Sequence, residues 1–149
     1  MPHHGYQRYF DDEVLAASPL QLIELLYGAT LDSINAARGH VREQNIPART
    51  RAINKALGLV AELMHCLNHD AGGTVSRNLA DLYGYVMRRL IQANISQTEQ
   101  PLIEAENVMS ILARAWKRCG VQAVESADSN TELPGQVIHP VTDAALAAL

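Results

Sequence analysis

The sequence predicts an all-α protein, an antiparallel up-down four-helix bundle with an N-terminal cap segment and an extra C-terminal tail. Apolar residues recur at steps of three and four along four successive segments of the chain. These segments are each about 20–25 residues long, which gives helices of roughly 30–37 Å. Short links separate them, which favours antiparallel neighbours. With 149 residues the chain fits one domain. A three-helix core with one helix docked outside is the alternative arrangement.

The two ends of the chain differ in composition from the predicted bundle. Tyr6, Tyr9 and Phe10 in the leader are three of the six Tyr and Phe residues in the chain. Residues 124–149 contain no Lys or Arg and end in an Ala-Leu run, for which we expect a short, marginal helix. The predicted parts are a leader or cap segment (1–17), the helical bundle (18–120), and a linker with a short C-terminal helix (121–149).

The first helix is predicted from Ser18 to about Arg42. Ser18 suits the N-cap position, Pro19 suits the first helical position, and Gln21 completes a capping box with Ser18. Apolar residues at helical spacing form its stripe, namely Leu20, Ile23, Tyr27, Leu31 and Ile34.

The second and third helices are predicted on either side of a glycine pair. The second covers about Pro47 to Asn68, and the third covers about Thr74 to Ile95. Gly72 and Gly73 separate the two helices, because paired glycines are unfavourable inside a helix. The third helix has a seven-residue rhythm at Val75, Leu79, Leu82, Val86 and Leu90.

The fourth helix is predicted to follow Ser96-Gln97-Thr98 and to run to about Arg118, ending near Gly120. It repeats the seven-residue rhythm of the third helix, which indicates a shallow crossing angle between neighbours. Its apolar stripe consists of Leu102, Ala105, Met109, Leu112 and Trp116.

Charge and composition exclude several classes of function. Residues 1–123 hold all 12 Lys and Arg and 12 of the 16 Asp and Glu, so they net 12 − 12 = 0, and the charge of −4 lies in the tail. A neutral body without a basic stripe argues against nucleic acid and against an anionic membrane surface. The two cysteines are too few for a disulfide framework. No segment resembles a signal peptide or a membrane span, so we expect a cytosolic protein.

The residues that suggest enzymatic or metal chemistry are few. Glu62 and His65 form one E-x-x-H element, whereas a di-iron bundle needs two such elements and two further glutamates. His65, Cys66 and His69 lie close in sequence but lack an evident fourth ligand. No phosphate-binding loop or nucleophile elbow occurs. We therefore expect no catalytic residue, no metal and no cofactor.

The third helical segment contains the run LYGYVMRRLIQAN, residues 82–94, which resembles the signature of the FliS family of flagellin export chaperones. The resemblance covers about residues 5–119, and it is carried by further elements in the family's order. These are Tyr6-Gln7-Arg8-Tyr9, Ser18-Pro19 followed by Leu25-Leu26-Tyr27, Ala56, Glu62-Leu63 leading to Leu67-Asn68, and Ala115-Trp116. Two features depart from the family: the tyrosine pair lacks a preceding Asn-Pro, and the acidic tail is longer.

The resemblance implies a cytosolic, non-enzymatic chaperone that binds the disordered C-terminal segment of flagellin. Such a chaperone prevents premature polymerisation and assists delivery to the flagellar export apparatus, whose gate components are further expected partners. The sequence leaves open whether the protein forms a homodimer and which helices form the groove. The alternatives are a regulatory bundle that binds a transcription or signalling partner, and a metal or phosphotransfer bundle.

Candidate partner-binding residues are those that core packing does not require, together with the aromatic leader. In the third helix, Leu79, Leu82, Val86 and Leu90 are expected on the core seam, and the site residues are expected off it. We expect the leader to fold over the groove when no client is bound, and the Ala-Leu terminus is a second candidate for that groove. The candidates are Tyr6, Tyr9, Phe10, Leu22, Leu25, Tyr27, Tyr83, Tyr85, Met87, Arg89 and Asn94.

Overall fold

The structure is a computed structural model that describes the backbone of residues 18–129 and the side chains of residues 18–120. Its described part consists of helices joined by short links, and no described residue lies in a strand. The helices are α1 (Pro19–Arg42), α2 (Ile46–His65), α3 (His69–Ser96) and α4 (Gln100–Ser129).

The four helices form a closed ring of neighbours around one core. α1 packs on α2 and α4, and α3 packs on the same two helices. Each helix therefore has two partners, which confirms the predicted bundle and excludes a three-helix core with one helix outside. Residues from all four helices fill the core, with Ile34, Ile53, Leu90 and Leu102 fully buried.

The capping box predicted at the start of α1 is present. The Gln21 amide donates to Ser18 Oγ at 3.3 Å, and the Ser18 amide donates to Gln21 Oε1 at 3.0 Å. Pro19 occupies the first turn. The helix also ends at Arg42, so both predicted boundaries of α1 are confirmed.

The predicted glycine break before the third helix is present, but the end of α2 differs from the prediction. α2 ends at His65, because Asn68 is the N-cap of α3 and its side chain accepts a hydrogen bond from the Ala71 amide at 3.0 Å. A short helical turn over residues 69–72 therefore precedes the break, and the regular part of α3 begins at about Thr74, as predicted. There Gly73 adopts φ 50° and ψ −121°, which kinks the helix.

α4 is longer than predicted, since it continues past Gly120 to Ser129. The prediction of an end near Gly120 is wrong. A glycine within a helix costs about 1 kcal/mol relative to alanine, which is too little to end a helix when good helix formers follow.

The core face of α3 is also corrected by the structure. The prediction placed Leu82 on the seam and Tyr83 off it, whereas Leu82 is 38% exposed and Tyr83 is buried. The buried residues that continue the face are Val86, Leu90 and Ala93. Steps of three and four both keep a residue near one helix face, so spacing alone did not separate Leu82 from its neighbour.

One end of the bundle carries an ionic cluster that joins α1 to α4. Arg38 Nε lies 2.8 Å from Glu99 Oε1, and Arg38 also pairs with Glu106. Arg42 Nη2 lies 2.7 Å from the same oxygen of Glu99. Hydrogen bonds from Arg42 and Arg38 lower the pKa of the Glu99 carboxyl from 4.5 to about 2. The start of α4 is therefore held to the end of α1 by charge.

Candidate partner-binding surface

Polar contacts define the two edges along which α3 meets its neighbours. Asn94 Oδ1 accepts from Arg49 Nε at 3.3 Å and from Thr50 Oγ1 at 3.4 Å, and both donors belong to α2. On the other side, Glu104 Oε2 of α4 accepts from Arg89 Nη1 at 3.1 Å. Residues seven apart share a helix face, so each contact fixes the register of an edge. We refer to them as the α2/α3 edge and the α3/α4 edge.

The α2/α3 edge becomes apolar two turns from its polar contact. Antiparallel neighbours place Leu57, seven residues after Thr50, opposite Met87, seven residues before Asn94. Both side chains are partly buried and pack against the core. The edge therefore has an apolar floor with an exposed rim.

An apolar row extends this edge onto the outer face of α3. The row consists of Met87, Ile91 and Ile95, which follow one another at intervals of four residues. Ile91 is 47% exposed and Ile95 is 71% exposed. Ile46 at the start of α2 is 50% exposed and lies one turn before Thr50, on the same side of the bundle. Several large apolar side chains thus remain available to a partner here.

The α3/α4 edge combines an ion pair with an apolar pair. Arg89 lies 5.8 Å from the centre of the Tyr85 ring, and hydrogen bonding to Arg89 lowers the pKa of Glu104. Seven residues back along α3 and seven forward along α4, the antiparallel register brings Leu82 opposite Ile111. Leu82 is 38% exposed and Ile111 is 59% exposed.

Tyr27 and Tyr83 form a hydroxyl pair inside the core. Their oxygens are 2.6 Å apart, and both side chains are buried. Burial raises the pKa of both phenols, so both are neutral at ordinary pH. Core packing together with this hydroxyl contact accounts for both tyrosines, and neither side chain is exposed for contact with a partner protein.

The remaining candidates lie elsewhere. Leu22 and Leu25 are partly buried in the first two turns of α1, which is diagonally opposite α3 and shares neither edge. Tyr6, Tyr9 and Phe10 are outside the described residues.

The predicted site residues therefore do not gather into one groove. Met87 and Asn94 lie on the α2/α3 edge, whereas Tyr85 and Arg89 lie on the α3/α4 edge. Sequence reasoning missed most of the exposed apolar residues at these edges, although each is an apolar residue off its helix stripe. They are Ile46, Ile91, Ile95 and Ile111.

The described residues contain no group of three or more His, Cys, Asp and Glu side chains placed to hold a metal ion. His65 Nδ1 lies 2.8 Å from the carbonyl oxygen of Ala61, and burial raises the pKa of the Cys66 thiol. Within residues 18–129, none of the helices has the length and apolar character needed to cross a membrane.

Comparison with known proteins identifies the family. A family profile described as "Flagellar protein FliS" matches residues 2–123. The match ends directly before residues 124–149, which contain no Lys or Arg. The chain is 34% identical over 114 residues to the flagellar secretion chaperone FliS of Salmonella typhimurium, covering 76% of this chain and 84% of that protein.

Two further relatives have the same description. The chain is 33% identical to the flagellar secretion chaperone FliSB of Pseudomonas aeruginosa, covering 70% of this chain and 82% of that protein. It is 30% identical to the flagellar secretion chaperone FliS of Bacillus subtilis, covering 81% and 86%. The profile match and these identities show that the chain belongs to the FliS family.

Proposed function

We propose that the protein is a cytosolic flagellar export chaperone that binds the disordered C-terminal segment of flagellin. Binding keeps the client from polymerising early, and the complex is then delivered to the flagellar export apparatus through contacts with its gate components. The protein acts as a chaperone and not as an enzyme, in keeping with its family. The observation that supports client binding is the apolar row beside the α2/α3 edge. Its isoleucines are exposed and are not part of the bundle's own core.

The α2/α3 edge is the part of the surface that we assign to the client. From Ile95 back to Ala80, opposite Met64, the edge covers 16 residues of α3, whose 15 steps span about 22 Å at 1.5 Å per residue. That length accommodates about four turns of an amphipathic client helix. Met64 and Met87 suit such a helix because methionine adapts its shape to varied apolar partners.

The strength of binding follows from the same surface. Burying one exposed Ile fully stabilises a complex by about 1.5–3 kcal/mol. Ordering a disordered client opposes this gain, so the net affinity is moderate and a later hand-off is feasible.

The leader is assigned the role of a cap. In this proposal Tyr6, Tyr9 and Phe10 cover the client surface when it is empty, and flagellin displaces them. Deletion of residues 1–12 then changes the affinity for the client, whereas an identical binding curve contradicts the cap. Leu22 and Leu25 on α1 are candidate contacts for a client that continues around the bundle.

Two exposed isoleucines test the assignment without disturbing the core. Ile91→Glu combined with Ile95→Glu places two carboxylates on the client surface, so we expect at least a tenfold weaker affinity for a flagellin C-terminal peptide, measured by calorimetry. Ile111→Glu is the control, because Ile111 of α4 is similarly exposed and lies on the α3/α4 edge instead.

Equal affinities for the double variant and the control contradict the assignment, provided that circular dichroism shows both to be folded. Tyr85→Phe and Arg89→Ala in the same titration determine whether the α3/α4 edge also contacts the client.

A further inference from the structure

The α3/α4 edge carries an apolar pair that neither the core nor the proposed client surface uses. Leu82 and Ile111 lie seven residues from Arg89 and Glu104, on the same edge, and both are exposed. Two turns away, the corresponding positions are filled by the contact between Arg89 and Glu104. The edge is thus closed by polar contacts at one end and remains open and apolar towards the C-terminal end of α4.

Positive charge lies on the α4 side of the open part of this edge, whereas Asp81 beside Leu82 on α3 is acidic. From Asn107 to Gly120, α4 carries Arg114, Lys117 and Arg118 and no acidic residue. Arg114 and Arg118 follow Ile111 at i+3 and i+7, so they lie on the same side of the helix. Neither forms an ion pair with another side chain in the described range. A complementary occupant is therefore apolar with acidic residues beside it.

The chain itself contains a segment of that chemistry. Beyond the end of α4, residues 130–149 have no Lys or Arg and carry Glu132 and Asp143. Their last nine residues, 141–149, read VTDAALAAL, in which Leu146 and Leu149 are three apart and would share one helix face.

The path of the chain allows this segment to reach the edge. α4 ends at Ser129, 129 − 111 = 18 residues beyond Ile111, or about 27 Å along the helix. Residues 130–140 are eleven residues and span at most about 40 Å when extended. They are thus long enough for the chain to turn back and place residues 141–149 over Leu82 and Ile111.

We propose that residues 141–149 dock on the α3/α4 edge of their own chain as a short amphipathic helix. Leu146 and Leu149 cover Leu82 and Ile111, and Asp143 lies towards Arg114 and Arg118. So short a helix is marginal in isolation, and the docking contacts stabilise it. The tether gives the segment a millimolar effective concentration, so a weak contact suffices.

Methyl nuclear magnetic resonance of the full chain tests this docking without any client. Leu146→Glu combined with Leu149→Glu places two charges in the docked face, so we expect the methyl signals of Leu82 and Ile111 to shift. The signal of Ile95, on the outer face of α3, is expected to stay in place. A control with Thr131→Glu and Gln136→Glu adds the same charge outside the docking segment and is expected to leave both signals unchanged.

Unchanged Leu82 and Ile111 signals in the Leu146 and Leu149 variant overturn the proposal. So does a shift that disappears on dilution, because it would mean that the tail of a second copy occupies the edge. A shift that is independent of concentration supports docking within one chain.

Discussion

At the residue scale, Tyr27 and Tyr83 show most clearly how one side chain depends on another. Tyrosine can be buried when its hydroxyl is hydrogen-bonded, and here each phenol satisfies the other at 2.6 Å. The pair links α1 to α3 across the bundle, between helices that do not otherwise pack as neighbours. The pair therefore stabilises the bundle itself, independently of any partner.

Removing either hydroxyl alone is expected to lower the free energy of unfolding by more than half of the loss that follows from removing both. Tyr27→Phe or Tyr83→Phe leaves one buried phenol without its partner, so each is expected to lower the free energy of unfolding by about 1–3 kcal/mol. The double variant has no unpaired hydroxyl, so its loss is expected to be smaller than the sum. Urea unfolding of the four proteins measures this coupling.

Tyr85→Phe is the control for that cycle. Its hydroxyl is partly buried and only 3.5 Å from Glu104, so its removal is expected to change the unfolding free energy little. Additive losses for the two core tyrosines would contradict the account of the pair.

At the element scale, the kink in α3 depends on one glycine. Gly73 has φ 50° and ψ −121°, a conformation that side chains with a Cβ rarely adopt. The Asn68 cap and the hydrogen bond from Ser76 Oγ to the Asn68 carbonyl, 2.9 Å long, hold the turn on either side of it.

Replacement of this glycine is expected to destabilise the fold. Gly73→Ala forces alanine into the strained backbone region, so we expect a loss of about 1–3 kcal/mol in thermal or urea unfolding. Gly28→Ala is expected to stabilise the fold instead, because Gly28 lies in α1 and no neighbouring atom is close to the position that a Cβ would take. That variant is expected to gain about 0.5–1 kcal/mol. Equal effects of the two variants would contradict the strain.

The sequence predicted elements better than it predicted faces. The capping box set the start of α1, and the helix periods gave four helices in a bundle. The α2/α3 boundary shifted because Asn68 caps the next helix, and the end of α4 shifted because one glycine does not stop a helix. The structure buries Tyr83 where the prediction placed Leu82, because Tyr83 contacts Tyr27 of another helix. No local sequence pattern contains that contact.

The candidate site was predicted in composition but not in arrangement. Met87, Arg89 and Asn94 are on α3 as expected, yet the helix turns them towards two different neighbours. Which edge each residue occupies is decided by α2 and α4, through Arg49 and Glu104.

At the scale of the whole molecule, the ionic cluster makes stability depend on pH. The pKa of Glu99 is about 2 in the folded protein against an ordinary value of 4.5. A lowered folded pKa means that the stabilisation is complete above pH 4.5 and is lost as the pH falls towards about 2.

Glu99→Gln is therefore expected to flatten the acid side of the stability curve. Between pH 4.5 and about 2, the unfolding free energy of the natural chain should fall more steeply than that of the variant. Glu24→Gln is the control, since Glu24 is exposed on α1 and forms no ion pair with a described side chain. Parallel acid curves for all three proteins would contradict a role of the cluster.

In the proposed function, this bundle holds the C-terminal segment of flagellin on its surface. Calorimetric titration of the full chain with a flagellin C-terminal peptide tests it directly, and a flagellin N-terminal peptide of equal length serves as the control. We expect a one-to-one complex with the C-terminal peptide, a negative heat-capacity change from buried apolar surface, and no complex with the control peptide. The absence of heat with the C-terminal peptide, or equal binding of both peptides, would contradict it.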